Sequence, residues 1–384
     1  MIRVKIETSA NSKASGFSDA ISISLAAMKN RLAKHSSHLP IFLMLMSFLL
    51  HAQNANTPIW QMQHSGLTTS LRGIDAASDS LVWISGSSGK YAITNNSGEN
   101  WVPGNVPGAD SLDFRDVQVF DKNNVLLLAC GPGEKSRIYQ TTDGGKNWQR
   151  RFTNPHKNGF FCAMAFWDAQ NGIAFSDPVA GKLLLIRTAD GGKTWREFTP
   201  DELPATIEGE YAFAASGTCV TVFGENNVWI ATGGTAARVF TSANRGQSWQ
   251  VFDTKMRSGS PSQGIFSLAF RDALNGVAVG GDYQQPEQPG NTLLRTTDGG
   301  KSWQSPAGAT KTGYRSCVRY LQNGEQKLLI AVGRTGCSFS SDDGLNWQMI
   351  SETGFYTLDV FGNKAWAAGA DGRVATLNLT TLTD

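Results

Sequence analysis

Short apolar segments alternate with polar, glycine-rich turns along most of this chain of 384 residues. A unit opens on an apolar segment such as FRDVQVF (114–120), FFCAMAFW (160–167) or IFSLAF (265–270). A short turn with Asn or Asp follows, and then a second apolar segment such as VLLLACG or NGVAVGG. A third segment, such as RIYQTT, ends in a motif after which a fourth begins. This pattern predicts units of four short β-strands.

The motif at the end of the third segment is Ser/Thr-x-Asp-x-Gly-x-x-Trp, which we call the box. It occurs at 141–148, 188–195, 296–303 and 340–347, and variants with Asn occur at 94–101 and 242–249. We expect the carboxylate to accept bonds from backbone N–H groups two or three residues on, with glycine at positive φ and the Trp packed inside the blade. The predicted structural residues are Asp143, Trp148, Asp190, Trp195, Asp298, Trp303, Asp342 and Trp347.

The number of boxes predicts the number of sheets. Six boxes indicate six four-stranded blades, at about 68–105, 112–153, 159–200, 210–254, 263–306 and 313–351. Residues 355–379 supply three more strands but contain no box. The segment TPIWQMQ (57–63) resembles the residues that follow a box, with Trp60 in the tryptophan position. The sequence thus predicts an all-β, seven-bladed β-propeller at 53–384, closed by an N-terminal strand in the last blade.

Residues 1–52 read as an over-long start followed by a signal peptide. The apolar run LPIFLMLMSFLL (39–50) follows Lys29, Arg31 and Lys34, and Ala52 is a plausible cleavage point. The run is short for a membrane span, although a membrane anchor is the alternative. We therefore expect a periplasmic or secreted protein without stable membrane insertion, and a monomer.

Composition narrows the candidate functions. Beyond residue 52 the chain has 28 basic and 30 acidic residues, so no bulk positive charge suggests nucleic-acid binding. The five cysteines show no metal-binding spacing and predict buried small apolar residues with at most one or two disulfides. Only His64 and His156 remain outside the N-terminal segment, and no nucleotide or hydrolase motif occurs. We expect no cofactor and no metal.

Propellers bind ligands where loops surround one end of the central channel. The predicted blades place Arg72, Arg115, Glu210, Tyr211, Arg315 and Tyr356 at or just before innermost strands. The loops between second and third strands add Lys90, Arg137, Asp177, Arg238, Asp282, Arg334 and Arg373, with the longest loop at 280–291. We predict a partner-binding rim for anions or acidic peptides, consisting of Arg72, Arg115, Glu210, Tyr211, Asp282, Arg315, Arg334 and Tyr356.

The boxes, together with GYRSCVRY (313–320) and EYAFAASGTCV (210–220), resemble the photosystem II stability/assembly factor family of seven-bladed propellers. That family carries BNR (Asp-box) repeats, and the resemblance covers nearly all of the chain beyond the signal. In that family the propeller is a lumenal or periplasmic chaperone that engages a membrane-protein partner, partly through arginines on one face. The resemblance implies that this chain is an assembly factor that binds a protein partner. The same repeats resemble those of sialidases and other secreted glycosidases.

Three functions remain open: a non-catalytic protein-binding assembly factor, a sialidase-like glycoside hydrolase and a carbohydrate-binding propeller. A retaining sialidase needs an arginine triad, a Tyr nucleophile with a Glu partner, and an acid. The sequence contains candidates for each of these groups: Arg72, Arg115 and Arg315 for the triad, Tyr211 with Glu210 for the nucleophile and its partner, and Asp177 for the acid. The Phe-Arg-Ile-Pro segment typical of sialidases is absent. The residues therefore favour the binding protein.

Overall fold

A computed structural model describes residues 59–199, 202–307, 312–321 and 327–382. Within these ranges the strands form seven antiparallel sheets, which confirms the predicted seven-bladed, all-β propeller. Three short 3₁₀ turns accompany them, at Gly133–Lys135, Ala370–Gly372 and Leu379–Leu382. No helix in the described ranges is long and apolar enough to cross a membrane. The predicted signal peptide lies outside these ranges.

The strands are numbered in chain order, and each blade is counted from the channel outwards. The first strands are β1 (Gln61–His64), β2 (Leu71–Ala76), β3 (Val82–Gly86), β4 (Lys90–Thr94), β5 (Val102–Asn105), β6 (Phe114–Val119), β7 (Val125–Ala129), β8 (Arg137–Thr141), β9 (Gln149–Thr153), β10 (Phe161–Phe166), β11 (Gly172–Val179), β12 (Lys182–Thr188) and β13 (Arg196–Glu197). Strands β2–β5, β6–β9 and β10–β13 are blades 1, 2 and 3.

The remaining strands form blades 4 to 7. They are β14 (Glu210–Tyr211), β15 (Val220–Phe223), β16 (Asn227–Ala231), β17 (Gly233–Gly234), β18 (Arg238–Ser242), β19 (Gln250–Asp253), β20 (Gln263–Phe270), β21 (Gly276–Asp282), β22 (Leu293–Thr296), β23 (Cys317–Tyr320), β24 (Leu329–Gly333), β25 (Gly336–Ser340), β26 (Gln348–Ser351), β27 (Thr357–Phe361), β28 (Lys364–Ala368) and β29 (Arg373–Asn378). Blade 4 is β15, β16, β18 and β19, blade 5 is built on β20–β22, blade 6 is β23–β26, and blade 7 is β27–β29 with β1. The short strands β14 and β17 extend the sheet of blade 5, and an isolated bridge at Gln304 marks its outermost position.

The ring is closed by its two chain ends, as predicted. Strand β1 pairs antiparallel with β29, from Gln61 opposite Thr376 to His64 opposite Arg373. Trp60 precedes β1 and is 1% exposed, with its ring centroid 5.0 Å from that of Phe355. It belongs to an apolar cluster with residues of blade 6, so the first strand fixes the last blade to its neighbour. The pairing begins at residue 61, and residues 57 and 58 lie outside the described ranges.

Each box closes the turn between the third and fourth strands of a blade. In the box of blade 2, Thr141 Oγ1 donates to Asp143 Oδ1 (2.9 Å) and accepts from the amide of Gly145 (2.8 Å). The carboxylate of Asp143 accepts from the amide of Lys146, three residues on as expected, and Oδ1 also accepts from the amide of Asn147 (2.9 Å), four residues on. Two consecutive glycines at positive φ widen the turn and carry the chain that far.

The box tryptophans of blades 1 and 2, like Trp60, pack towards the preceding blade. Trp148 lies against Trp83 and Tyr91 of blade 1, with centroid distances of 6.2 and 5.3 Å. Trp101 donates from Nε1 to Gln63 Oε1 on β1 (2.9 Å). Both rings also belong to apolar clusters that contain residues of their own blade, as expected. They therefore fill space between two adjacent blades and not the interior of one blade alone.

Innermost strands of neighbouring blades are joined by side-chain acceptors. Each acceptor receives an amide N–H from the next blade: Val119 to Asp75 (2.6 Å), Met164 to Asp116 (2.7 Å), Ala76 to Asp359 (2.9 Å) and Val318 to Ser267 (3.0 Å). Burial raises the pKa of Asp75 and of Asp116, and the amide bonds act in the opposite direction. These bonds satisfy backbone groups that face a narrow channel.

Replacing Trp60 with Ala should destabilise the protein by about 3–5 kcal/mol, because a fully buried ring at the closure is lost. Trp148→Ala should cost less, since that ring is only half-buried. Urea unfolding of both variants measures the difference in free energy. A Trp148 variant that is the less stable of the two would contradict this account of the closure.

Candidate functional site

A backbone segment crosses the central channel and closes it. Residues 212–219, here called the plug, lie between β14 and β15. Strand β15 begins only at Val220, whereas blade 4 was expected to begin at residue 210. A side chain at Gly217, where φ is +71°, would collide with the carboxylate of Asp116. The plug therefore depends on a glycine where it passes the inner strand of blade 2.

All the other six blades contact the plug by hydrogen bonds. The bonds join Arg72 Nη1 to Ala215 O (3.3 Å), Arg115 Nη1 to Ala214 O (3.1 Å), Ala212 N to Asp177 Oδ1 (2.8 Å), Thr218 Oγ1 to Ser267 Oγ (2.7 Å), Ser216 Oγ to Ser316 O (2.8 Å) and Thr357 Oγ1 to Ser216 O (3.3 Å). The plug is thus a fixed floor across the channel.

A cavity of about 520 Å³ lies at the channel mouth with the first residues of the plug, 212–215, in its lining. Three arginines, Arg72, Arg115 and Arg334, contribute positive charge, and Asp177 contributes a carboxyl group. The rest of the wall is largely aromatic. It includes Tyr211, Phe213, Phe266, Tyr283, Tyr314 and Tyr356. Phe213 of the plug stacks on Phe266 with a centroid distance of 3.8 Å.

Irregularities in the strands direct several of these side chains into the cavity. The pairing register shifts at Arg72 on β2, at Arg115 on β6 and at Phe266 on β20. It shifts again at Asp177 on β11. A β-bulge turns the side chain of the extra residue away from the regular alternation of the strand. Four β-bulges therefore direct two arginines, one carboxyl group and one aromatic ring into the same cavity.

The three arginines differ in how they are held. Arg72 lies over the ring of Tyr356, with Cζ 4.2 Å from the centroid, and burial together with the charge of Arg115 lowers its pKa. Arg115 pairs with Asp113 through Nε (2.8 Å). Arg334 is exposed and donates to the carbonyl of Tyr283 (3.2 Å). Each guanidinium has more donors than these bonds use, so all three can still bind an anion.

Asp177 and Tyr211 both line the cavity and its neighbouring depression. Burial raises the pKa of Tyr211, and the charges of Tyr283 and then of Asp177 contribute in the same direction. Burial raises the pKa of Asp177 to about 6. The carboxyl group accepts from the amide of Ala212 and from the thiol of Cys162 (3.6 Å), and no ion pair to it is found among the described residues. The hydroxyl of Tyr211 is buried and has no hydrogen-bond partner in the described part of the chain.

Five of the eight rim residues expected from the sequence line this cavity. They are Arg72, Arg115, Tyr211, Arg334 and Tyr356. Glu210 does not line it, because its buried carboxylate forms an ion pair with Arg238 and accepts from Thr232 Oγ1 (2.6 Å). Asp282 accepts from Gln263 Nε2 (3.1 Å) and the amide of Gln284 (2.9 Å), and so fixes the start of the 280–291 loop.

Arg315 was expected at the rim and is instead 1% exposed. Its guanidinium donates to Ser338 Oγ (2.8 Å) on β25 and to the carbonyl of Tyr314 (2.9 Å). Burial without a carboxylate lowers the pKa of Arg315 to about 10. The side chain thus connects Tyr314 with β25 inside blade 6 and does not line the cavity.

The sequence analysis did not identify the plug or the aromatic residues Phe213, Phe266, Tyr283 and Tyr314. One signal was available. Trp195 and Trp249 are 54 residues apart, as are Trp249 and Trp303 around the long 280–291 loop, whereas the two preceding intervals are 47 residues. The additional length in blade 4 includes the small and apolar sequence AFAASGTC, which is the plug.

All five cysteines are free and buried. Burial raises the pKa of Cys130, Cys162, Cys219 and Cys337, which makes these thiols poor nucleophiles. The prediction of buried small apolar residues is confirmed. Among the described residues, no three His, Cys, Asp or Glu side chains are grouped so that they could hold a metal ion.

No protein-family model and no curated protein matches this chain. Solved structures do match it. A structure of YCF48 bound to D1 peptide is 15% identical, with a TM-score of 0.57 over 84% of this chain and 96% of that one. YCF48 from Cyanidioschyzon merolae is 19% identical, with a TM-score of 0.61 over 83% and 98%. Virginiamycin B lyase from Staphylococcus aureus is 13% identical, with a TM-score of 0.57 over 83% and 99%.

These similarities establish the propeller fold. At such low sequence identity they do not show what this chain does. The assignment of the boxes to the BNR (Asp-box) family stays a prediction, because no family model matches.

Asp177→Asn should stabilise the protein at pH 8, by up to about 3 kcal/mol. Because the pKa is about 6 in the folded state and 3.8 in the reference state, the carboxyl group favours folding below pH 3.8 and loses that contribution as the pH rises through 6. Asn cannot ionise and keeps an acceptor for Ala212. Urea unfolding at pH 8 and pH 4 should show a gain at pH 8 that shrinks at pH 4. A loss of stability at pH 8 would mean that the ionised carboxylate is stabilised in the fold.

Proposed function

We propose that this protein is an exported, non-catalytic propeller that binds a segment of a protein partner in the plugged cavity, in the manner of an assembly or stability factor. The observation that carries this proposal is the convergence of Arg72, Arg115 and Arg334 over a floor formed by the plug. A segment with a carboxylate can bind these guanidinium groups through charge-assisted hydrogen bonds.

The size and the open mouth of the cavity are compatible with part of a peptide. Its volume of about 520 Å³ holds a few side chains, and its mouth is open to solvent. The aromatic wall offers flat apolar surface, while Tyr283 is 36% exposed at the edge. Because the plug blocks the channel, a ligand enters and leaves by the same face and cannot pass through.

The known structures support this choice in one respect. A propeller of the same fold, YCF48, has been solved bound to D1 peptide. That observation concerns YCF48 and shows that a peptide ligand is compatible with this architecture. The proposal for the present chain depends on its own arginines and aromatic residues.

The glycosidase alternative is weakened by the positions of its required groups. A sialidase-like site needs the tyrosine nucleophile beside its glutamate, but the carboxylate of Glu210 is fully buried in the pair with Arg238 and the hydroxyl of Tyr211 has no partner in the described part of the chain. The third arginine, Arg315, is held inside blade 6. Of the triad expected from the sequence, the cavity therefore contains Arg72 and Arg115 but not Arg315. Arg334 supplies a third guanidinium, and among the described residues no nucleophile is assembled beside them.

Replacing cavity arginines should weaken the binding of acidic peptides. Arg72→Gln keeps a donor for the plug carbonyl, and Arg334→Gln leaves the core untouched. Each change should cost about 1.5–3 kcal/mol of binding free energy, with the smaller loss and the greater salt sensitivity for exposed Arg334. The measurement is fluorescence anisotropy with labelled nine-residue peptides that contain Asp or Glu beside an aromatic residue.

Arg150→Gln is the matched control, since Arg150 is exposed on β9 and does not line the cavity. Equal losses in all three variants would indicate nonspecific charge attraction and contradict the proposal. Turnover of a sialoside or another glycoside that disappears with Arg72→Gln would favour the enzyme instead. Peptides without acidic residues should bind weakly to every variant.

The proposed location outside the cytoplasm depends on residues 1–52. Cleavage near Ala52 should give a mature protein that starts near residue 53. Edman sequencing of the native protein from periplasmic and secreted fractions tests this. A native protein that retains its first residues and stays in the cytosolic fraction would reject both the export and the envelope role.

A further inference from the structure

The cavity carries positively charged side chains on one side and a carboxyl group on the other. Arg72, Arg115 and Arg334 come from blades 1, 2 and 6. Asp177 comes from blade 3, and Tyr211 precedes the plug. A ligand that supplied only a carboxylate would satisfy the arginines and leave the other side without a partner.

Among the described residues, Asp177 lines the cavity without an arginine partner, as Asp75 and Asp116 lack one at the inner strands, whereas several other carboxylates of the propeller are paired. Asp113, Glu210, Asp343 and Asp359 each pair with an arginine. No such pair to Asp177 is found in the described residues, although it is directed into the cavity by a β-bulge. One carboxyl oxygen accepts from the plug amide and the Cys162 thiol, and no bond to the other is found in the same ranges.

A second depression of about 530 Å³ adjoins the cavity at Asp177 and Tyr211, which line both. Its other residues include Ile207, which is 47% exposed, and Glu208, which is exposed as well. An extended segment that leaves the arginine side of the cavity along this groove passes Asp177 and then Glu208. The negative charge therefore continues outwards along one path.

We propose that Asp177 and Tyr211 form a cation subsite, so that the partner segment carries an ammonium or guanidinium group near its carboxylate. This inference rests on the proposed function and specifies its ligand class, a peptide segment with an acidic and a basic side chain a few residues apart. The cation donates to the free oxygen of Asp177 and, after a small rotation that uncovers the buried Tyr211 hydroxyl, to that oxygen as well. The arginines hold the carboxylate, and the two charges together fix the direction of the segment.

Binding of a cation would also offset the free-energy cost of ionising the buried Asp177 carboxyl group. Burial disfavours the ionised carboxylate, and its raised pKa reflects that penalty. An incoming ammonium group restores the ionised form and pairs with it in a partly dry environment. Such a pair contributes more to selectivity between ligands than an exposed pair at the rim does.

The test is a double-mutant cycle between protein and peptide. The probes are labelled nine-residue peptides with blocked ends and one central Asp, in which Lys is placed one to four residues to either side, and matched peptides with norleucine in place of Lys. The proteins are the mature chain, Asp177→Asn and Asp110→Asn. Asp110 is exposed, lies away from the cavity lining and serves as the control for loss of one negative charge.

For at least one spacing, the Lys peptide should bind the unmodified protein about 10-fold more tightly than its norleucine counterpart. This advantage should fall to less than about 2-fold with Asp177→Asn and persist with Asp110→Asn. Tyr211→Phe should lower it by about 3-fold, since one acceptor is removed while the ring remains. The Asn variant keeps the acceptor for the plug, and circular dichroism verifies that it is folded.

Three outcomes overturn the inference in different ways. If Lys and norleucine peptides bind equally, the cation subsite is rejected while the carboxylate-binding function stands. If the Lys advantage survives Asp177→Asn, the cation is held elsewhere and the assignment to Asp177 is wrong. If no acidic peptide binds at all, the proposed function fails and the subsite fails with it.

Discussion

The hydrogen bonds between the plug and the surrounding blades are the constraint from which the site follows. A backbone segment inside a narrow channel has few water molecules available, so its N–H and C=O groups need protein partners. Arg72, Arg115 and Asp177 provide three of those partners from blades 1, 2 and 3. The same three side chains form the charged part of the cavity, so the residues that hold the floor are also the residues that present charge to a ligand.

A ring of seven blades must also be held closed, and here the two chain ends pair with each other in blade 7. Strand β1 adds its four residues to blade 7, and Trp60 fills the space towards blade 6. Inner-strand acceptors such as Asp116 and Ser267 then join neighbouring blades near the axis. Adjacent sheets diverge away from the axis, so the space between them is larger near the outer strands. Large aromatic rings fill that outer space, while short polar hydrogen bonds join the sheets near the axis.

The sequence predicted what is encoded locally and repeated. Strand alternation, the box turns and the spacing of tryptophans gave the blade number, and Trp60 revealed the closure, because each depends on residues close together in the chain. The directions of single side chains could not be predicted in this way. Arg115 points into the cavity because a β-bulge turns it there, whereas Arg315, which the predicted blade register placed equally near the axis, folds back onto Ser338. The plug was missed because its contacts join blades distant in sequence.

The arrangement allows binding without opening the floor. A guanidinium carries five N–H donors, and Arg72 uses one of them on the plug while its face rests on Tyr356. A ligand carboxylate can therefore be added to arginines that are already oriented, so little side-chain entropy is lost on binding. Phe213 and Phe266 are likewise already stacked on each other, so this part of the aromatic wall also needs little ordering when a ligand binds. Since the plug is bonded to every other blade, a shift of the floor would break contacts around the whole ring, and selectivity must come from the charges and rings at the mouth.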